Sequence, residues 1–242
     1  MLLRQVLESE SPIALTDLAG TAELPKSTAS RLLGALERHG LVRRTTPRGP
    51  FAPGAAILSV ANRALVVRNL VELAQDALEV LSEHSGETIN LAVPSADGVQ
   101  HLAQVDSRHF LGSGQWLGRT VDYHCTAVGK LFLAFGVAAL PAGQLLAYTP
   151  QTVTDRVRLT AELAQARRRE LATAIDELES GLSAMAAPVH AHGAGVVAAL
   201  SISGPTLRMG PRRIADLEAH LTQQARELSR LLGHTHQDKD AA

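Results

Sequence analysis

Three shortages in the 242-residue sequence exclude whole classes of protein. Its one cysteine excludes a disulfide framework and a zinc site built from several thiolates, and suits a reducing cytosol. No apolar run reaches the roughly 18 residues of a membrane-spanning helix, and the N-terminal segment turns acidic too early for a signal peptide. Four Phe, two Tyr and one Trp are too few for the base-stacking surface of a single-strand nucleic-acid binder. We therefore expect a cytoplasmic protein without a membrane partner.

Net charge is also nearly absent, at −1, but the charges are unevenly distributed. Residues 1–63 carry eight Lys or Arg and five Asp or Glu, a net charge of +3, which leaves −4 for the rest of the chain. Within residues 24–50 six basic residues accompany a single Glu. This asymmetry indicates two domains with different partners, and nucleic acid as the partner of the basic one.

The spacing of apolar residues predicts three short helices before Gly40. The first begins almost at Met1, and the second has Thr16 as a candidate N-cap. The third, over residues 26–39, follows a turn at Pro25 and ends at Gly40, a residue suited to the position after a helix. Its apolar face repeats with the helical period and consists of Ala29, Leu32, Leu33 and Leu36.

A basic hairpin is predicted after the third helix, with a strand at 41–45 and a turn at 47–50. Helix, turn, helix and basic hairpin form the layout of a winged helix-turn-helix. In that motif the second of the two helices, here the one predicted at 26–39, lies in the major groove of DNA. Arg31 is the candidate for a bidentate contact to guanine. The candidate DNA-binding residues are Lys26, Ser27, Thr28, Ser30, Arg31, Arg38, Arg43, Arg44 and Arg48. The alternative is a solvated helix face followed by an ordinary basic loop.

The remainder of the chain mixes helices and strands, which predicts an α+β domain. An amphipathic connector helix is expected at 55–68, with helix continuing over 69–84. A β-hairpin is predicted from 88–93 and 99–105, and a buried strand at 196–203. Further helices are predicted at 127–135, 161–179 and 211–232.

Four motifs stand in order along the chain: LTDLAGTAELPKSTASRLLGALERHGLV at 15–42, GETINLAV at 86–93, YHCTAVGK at 123–130, and ELESGLSAMAAPV at 177–189 with VAALSISGP at 197–205. Together they resemble the isocitrate lyase regulator (IclR) family of bacterial transcription factors. The resemblance implies a winged helix-turn-helix at 1–54, a linker helix at 55–68, a GAF-like effector-binding domain at 69–233 and a polar tail at 234–242. It also implies operator DNA, a small organic or aromatic acid effector, and a homodimer or dimer of dimers as partners.

The resemblance further implies which residues surround the effector. They are Phe110, Ser113, Trp116, Cys125, Thr126, Ala127, Val128, Asp176, Glu177, Ala184, Ser201 and Ser203. Ser201 and Ser203 share one face of their predicted strand, where the hydroxyls can bind a ligand carboxylate or satisfy neighbouring backbone groups. Trp116 is either a lid over the ligand or a core anchor.

The sequence departs from the family pattern at four places. Many members of the family have a Cys at the position of Ala184 and an acidic residue at the position of Ala174. The acidic residues nearest to Ala174 in this sequence are Asp176 and Glu177. The return strand of the wing, residues 50–54, contains two prolines, which predicts a short or irregular wing. The first helix begins where relatives usually have a leader, which allows for an upstream translational start.

Two constellations suggest other chemistry. A hydrolase would use Cys125 as nucleophile and His124 as base, but adjacent side chains on a strand point apart, so we expect a buried thiol and no catalysis. The pairs His190 with His192 and His234 with His236 could chelate a metal, yet neither has a third ligand nearby. We expect loop and tail histidines, with no metal and no cofactor.

The sequence thus predicts a DNA-binding transcriptional regulator, a repressor whose operator affinity responds to an effector. An activator of the same family is the first alternative. A cytosolic enzyme or ligand-binding module that uses Cys125 is the second.

Overall fold

The computed structural model describes residues 1–9 and 11–234, with residues 58–68 described through their backbone alone. The chain forms two compact units, Met1–Asn69 and Leu70–Ala242. The polar tail predicted at 234–242 lies outside the described residues, apart from His234.

The first unit consists of three short helices and a β-hairpin, as predicted. Its elements are α1 (Leu2–Glu8), α2 (Leu15–Thr21), α3 (Lys26–Arg38), β1 (Val42–Arg44) and β2 (Phe51–Pro53). The strands pair antiparallel, with Val42 opposite Pro53 and Arg44 opposite Phe51. Each strand has three residues, so the prediction of a short wing is confirmed. Ile13 adds a bridge to Phe51, with N···O distances of 2.9 and 2.8 Å.

The core of the first unit forms where the three helices meet the hairpin. Its buried residues are Leu2, Val6, Leu18, Ala19, Ala22, Ala29, Leu33, Val42 and Phe51. The predicted apolar face of α3 is confirmed at Ala29 and Leu33, but Leu32 is 43% exposed. Successive helical residues lie about 100° apart, so Leu32 shares its direction with Thr28, one turn earlier, more than with Leu33.

The prediction that Thr16 caps the second helix is wrong. Helix α2 begins at Leu15 with Ala14 at the N-cap, so Thr16 already lies in the first turn. Its hydroxyl donates to the Asp17 carboxylate at 3.2 Å instead of to the helix terminus.

Two glycines shape the chain after α3. Gly40 follows the helix with a φ of +68°, in the role predicted for it. Gly54 packs against Gly40 so closely that a Cβ at position 54 would lie 2.0 Å from the Gly40 carbonyl oxygen. The Gly54 N–H donates to the Leu41 carbonyl at 3.0 Å. Only glycine fits at position 54, which fixes how the wing ends.

Helix α4 (Ala55–Ser85) is one continuous helix, which confirms the predicted connector and its continuation. The second unit contains the C-terminal part of α4, followed by a six-stranded antiparallel sheet and three further helices. The strands are β3 (Thr88–Ser95), β4 (Gly98–Val105), β5 (Thr120–Val121), β6 (Ala172–Ile175), β7 (Leu182–Ala191) and β8 (Gly195–Pro205), in the order β5-β4-β3-β8-β7-β6. The helices are α5 (Ala127–Ala134), α6 (Arg156–Arg169) and α7 (Pro211–Leu231).

The sheet has a separate apolar core on each face. The last turns of α4 and helix α7 cover one face, where Leu78 and Leu221 pack against Ile202 and its neighbours. Helix α5 covers the other face, where Val128 and Phe132 pack with alanines of the strands. Because β8 runs through the middle of the sheet, its alternate residues belong to the two faces. Ser201 and Ser203 therefore lie on the α5 side.

The helix predicted at 161–179 is wrong at both ends. Helix α6 begins at Arg156 after Asp155, whose carboxylate accepts from the Arg158 N–H at 2.7 Å, and ends before Glu170, which has a φ of +51°. The chain then forms β6, which pairs with β7. Two of the four residues of β6 are alanines, which are depleted in strands, so the segment is too short for Thr173 and Ile175 to mark it as a strand.

Candidate functional site

The first candidate site is the exposed face of α3. Ala29 and Leu33 pack into the core, which leaves the predicted DNA-binding side chains of the helix on its other faces. Lys26, Ser27, Arg31 and Arg38 are exposed, and Thr28 and Ser30 are half-buried. The helix therefore presents small polar groups near its start and guanidinium groups further along, as required for contacts to bases and phosphates.

The three wing arginines differ in their surroundings. Arg43 is exposed on β1, and Arg48 is exposed at the tip of the hairpin with a φ of +84°. Arg44 is held by the fold. Its backbone N–H donates to a Glu37 carboxylate oxygen at 3.2 Å, and its guanidinium lies 4.3 Å from the centre of the Phe51 ring. Arg43 and Arg48 are thus exposed and able to contact DNA, whereas the Arg44 side chain packs within the hairpin.

The second candidate site is a cavity of about 40 Å³ between the sheet and the start of α5. All six strands supply residues to its sheet side, and the turn before α5 supplies its other side. The lining residues are Asn90, His101, Trp116, Val121, Cys125, Thr126, Ala127, Val128, Ala174, Leu178, Leu182, Ala184, Ser201 and Ser203.

Eight of the predicted effector-binding residues line this cavity, and a ninth lies one hydrogen bond away. The eight are Trp116, Cys125, Thr126, Ala127, Val128, Ala184, Ser201 and Ser203. Ser113 lies just outside them, where its Oγ is 2.9 Å from the Oγ of Ser203 and accepts from the Trp116 indole N–H at 3.3 Å. Residues distant in sequence, from the loop before β5 to β8, are therefore brought together.

Phe110, Asp176 and Glu177 lie outside the cavity lining, contrary to expectation. Phe110 is fully exposed on the loop after β4. Ala174 faces the cavity, but β6 ends at Ile175, so the two acids follow in a turn. Asp176 accepts from the Gly181 N–H at 2.7 Å and the Thr206 hydroxyl at 2.6 Å, while Glu177 is buried against Lys130 at 2.6 Å. Both acids stabilise the fold of the turn.

Six lining residues were missing from the sequence prediction: Asn90, His101, Val121, Ala174, Leu178 and Leu182. Asn90 lies opposite Ser201 in the β3–β8 pairing, and its amide donates to the Ser203 hydroxyl at 3.4 Å. An asparagine inside the apolar strand TINLAV was the available signal, because asparagine is depleted in strands.

Two buried polar atoms of the lining have no hydrogen-bond partner, the Oδ1 of Asn90 and the Nδ1 of His101. Asn90 is 1% exposed and His101 is 7% exposed. An unpartnered buried polar atom is costly, so such atoms around a cavity indicate a bound molecule or water. Burial lowers the pKa of His101 to about 4, so its ring is neutral near pH 7.

The start of α5 lines the same cavity. Thr126 is the N-cap, and its hydroxyl accepts from the Gly129 N–H at 3.1 Å. Ala127 and Val128 occupy the first turn, where backbone N–H groups have no partner within the helix. The partial positive charge of a helix N-terminus favours an anion there.

Comparison with known proteins identifies the chain. The sequence model of the "IclR helix-turn-helix domain" matches residues 1–46, and that of the "Bacterial transcriptional regulator IclR C-terminal" domain matches residues 62–230. The chain belongs to the IclR family. It is 34% identical to the transcriptional repressor IclR of Escherichia coli K12 over 241 residues, which cover 96% of this chain and 87% of the relative. It is also 34% identical to the acetate operon repressor of Salmonella typhimurium, over 97% of this chain and 88% of the relative.

Solved structures of the IclR family have the same fold. The IclR protein of Thermotoga maritima matches with a TM-score of 0.64 at 26% identity, over 96% of each chain. An IclR-type regulator from Silicibacter sp. TM1040 matches with a TM-score of 0.67 at 26% identity, over 100% of this chain and 97% of that one. The chain is accordingly a DNA-binding transcriptional regulator, with an N-terminal helix-turn-helix and a C-terminal effector-binding domain of α+β fold.

The catalytic alternative does not hold for this IclR-family regulator, because the family regulates transcription and its members are not enzymes. His124 and Cys125 lie in a turn before α5, not on the expected strand. The ring Nε2 of His124 lies 2.8 Å from the Leu146 carbonyl oxygen. Burial and then the nearby Asp122 and Glu177 carboxylates raise the pKa of the Cys125 thiol to about 12, which keeps it protonated.

The histidine pairs also differ from expectation. His190 lies on β7 instead of in a loop, and its ring stacks on that of His234 at 4.9 Å between centres. His236 lies outside the described residues. Within the part of the chain that the structure describes, no three His, Cys, Asp or Glu side chains gather as metal ligands would. None of the described helices is long and apolar enough to cross a membrane.

Proposed function

We propose that this regulator represses transcription and that a compact organic acid in the cavity changes its affinity for operator DNA. The observation that carries the proposal is the cavity itself, whose lining includes two residues with unpartnered buried polar atoms together with the start of α5. The names of the two relatives above, both repressors, support the direction of regulation. We further propose the division into a winged helix-turn-helix at 1–54, a linker helix at 55–68 and an effector domain at 69–233.

The size and polarity of the cavity favour a compact acid over an aromatic one. A space of about 40 Å³ holds roughly three water molecules. The lining contains no Lys or Arg, so a carboxylate would bind to the N–H groups of Ala127 and Val128 and to the serine hydroxyls. The unpartnered Oδ1 of Asn90 requires a donor, which a hydroxyl group on the ligand would supply. These features together select a small hydroxy acid.

Fluorescence of Trp116, the single tryptophan, measures binding in the cavity. Titration with glycolate and lactate is expected to change its emission, and benzoate at the same concentrations is expected to change it less. Asn90→Ala should weaken the binding of both hydroxy acids about tenfold through loss of the hydroxyl contact. Asn69→Ala, an exposed position on α4, is the matched control. Equal affinity of Asn90→Ala and the parent protein for glycolate would contradict the assignment.

The DNA-binding role of α3 is tested by selecting bound genomic DNA and measuring affinity for the selected sites. Arg31→Ala should cost about 1–3 kcal/mol and relax the preference at one base position. A loss of affinity that is the same for every sequence would instead make Arg31 a phosphate contact. Deleting the gene should raise transcription from the selected promoters, whereas a fall would make the protein an activator.

A further inference from the structure

The loop between β4 and β5, residues 106–119, closes the cavity through a chain of hydrogen bonds. Trp116 of this loop lines the cavity, and its indole N–H donates to Ser113 at 3.3 Å. The Ser113 hydroxyl lies 2.9 Å from that of Ser203, on the floor of the cavity. Gln104 of β4 holds the loop from outside, since its Oε1 accepts from the Trp116 backbone N–H at 2.9 Å. The Gln104 amide also donates to the Gly114 carbonyl at 3.2 Å, so β4 holds the tip from one side, and Ser203 attaches it to the floor of the cavity through Ser113.

The start of the same loop is fastened to the end of α4. The Ser107 hydroxyl and the Arg108 N–H both donate to the Gly86 carbonyl, at 2.9 and 3.2 Å. The Arg108 guanidinium lies 3.7 Å from the carboxylate of Glu83 in the last turns of α4. One loop thus joins the floor of the cavity to the chain at the C-terminus of α4.

An ion pair between a buried carboxylate and a half-buried guanidinium reinforces this attachment. Glu87, directly after α4, is 3% exposed and binds Arg208 through two hydrogen bonds of 2.5 and 2.7 Å. The same guanidinium donates to the Leu111 carbonyl of the loop at 2.6 Å. Arg208 therefore holds the loop and the chain after α4 in one arrangement, and a lysine could not make these three bonds together.

We infer that loop 106–119 transmits occupancy of the cavity to α4, with Ser113 and Arg208 as the positioning residues. The Ser203 hydroxyl has one proton and two lone pairs, and the Asn90 amide and Ser113 already use part of this capacity. A carboxylate in the cavity competes with Ser113 for the Ser203 hydroxyl. Its binding releases the tip of the loop, which changes the contacts at Gly86 and Glu87. The inference rests on the proposed effector site and adds the route by which the site acts.

The decisive variant is Ser113→Ala, which removes the attachment without any ligand. We expect amide hydrogens at residues 82–87 and 106–113 to exchange at least about fivefold faster than in the parent protein. We also expect operator affinity to change by at least about fivefold, the lower range of allosteric coupling. Ser95→Ala, at the end of β3, is the matched control and should leave both measurements unchanged. Exchange at 82–87 and operator affinity that both equal those of the parent protein would overturn the inference.

Arg208→Lys tests the second attachment and keeps the charge beside Glu87. It should bind glycolate with the affinity of the parent protein, as measured by Trp116 fluorescence, while glycolate no longer changes its operator affinity. An unchanged response of operator affinity would overturn the role of Arg208. If Arg208→Lys fails to fold, Ser107→Ala, which removes the side-chain hydrogen bond to the Gly86 carbonyl, replaces it, with the same expected loss of response. If glycolate does not bind the parent protein, the proposed effector fails, while the Ser113→Ala exchange measurement still decides the coupling.

Discussion

Arg43 and Arg44 are neighbours in sequence but have different surroundings in the wing. Successive residues of a strand point to opposite sides, so Arg43 faces solvent while Arg44 lies over Phe51 and close to Glu37. The sequence assigned both to DNA because charge and position do not distinguish them. The difference arises from the folding of the hairpin onto α3, which composition does not reveal.

The two arginines should therefore respond differently to substitution. Arg43→Ala should weaken binding to all operator sequences alike and reduce the slope of log affinity against log salt by about 1, with unchanged stability. Arg44→Ala should lower stability by about 1 kcal/mol, because it loses the contacts to Glu37 and Phe51. Fluorescence anisotropy at several salt concentrations and urea unfolding measure the two effects. A reduced salt slope for Arg44→Ala with full stability would assign Arg44 to DNA as well.

His101 makes stability depend on pH. Its pKa is about 4 in the folded protein because of burial, against 6.5 as the ordinary value. Since the folded pKa is lower, the unfolded state binds more protons between these values, and stability present above pH 6.5 is lost as the pH falls towards 4. The free energy of unfolding falls by roughly 3 kcal/mol between pH 6.5 and pH 4. His101→Gln should flatten this dependence in urea unfolding from pH 7 to 4.5, while His39→Gln, an exposed control, should not. Identical pH slopes for His101→Gln and the parent protein would exclude His101 as the source.

At the scale of elements, the sequence predicted those whose pattern is strong. Helices α3 and α7 have regular apolar stripes, and β8 is a continuous apolar run, so each was found close to its true bounds. Strand β6 was missed because it has only four residues, two of them alanines, and follows a helix that ends without glycine. Among the residues that line the cavity, the sequence predicted those that belong to the family motifs. Asn90 and His101 were missed because they reach the cavity through the pairing of β3 and β4 with the other strands, which a single sequence does not specify.

Two helical glycines should respond to alanine in opposite directions. At Gly34 of α3, a Cβ would have its nearest neighbour at 4.0 Å, so Gly34→Ala should stabilise the protein by about 1 kcal/mol. At Gly129 of α5, a Cβ would lie 2.2 Å from the Tyr123 carbonyl oxygen, so Gly129→Ala should destabilise it by about 2 kcal/mol and weaken effector binding. Thermal unfolding of both variants measures the pair. A Gly129→Ala variant as stable as the parent protein would show that the start of α5 can move freely.

At the scale of the whole molecule, the charges and domains fit together. The basic residues 24–50 belong to the unit that contains the helix-turn-helix, and the acidic remainder of the chain contains the effector domain. With a net charge of −1, the whole protein has little sequence-independent electrostatic attraction to DNA. Its affinity must therefore come from a few specific contacts that are repeated by a second subunit. We propose a homodimer or a dimer of dimers as the species that binds DNA.

The spacing of operator half-sites should then be critical. Two recognition helices of a dimer contact half-sites about 34–36 Å apart, or a multiple of that distance. Inserting about five base pairs between the half-sites turns one to the opposite side of the duplex and should reduce affinity at least tenfold, whereas about ten should restore part of it. Gel-shift titration measures both, and sedimentation gives the oligomeric state. Equal affinity for all three spacings would contradict binding as a rigid dimer.

The bridge between Ile13 and Phe51 has a thermodynamic consequence for recognition. Two backbone hydrogen bonds tie the return strand of the wing to the segment before α2, so the base of the hairpin is ordered before DNA is present. Ordering a residue costs about 1–2 kcal/mol in conformational entropy, and a wing that is ordered beforehand avoids this cost during association. Binding should thus bury surface without the additional heat-capacity change of coupled folding. The short wing can contact less of the DNA than a longer one, but it is already ordered before it binds.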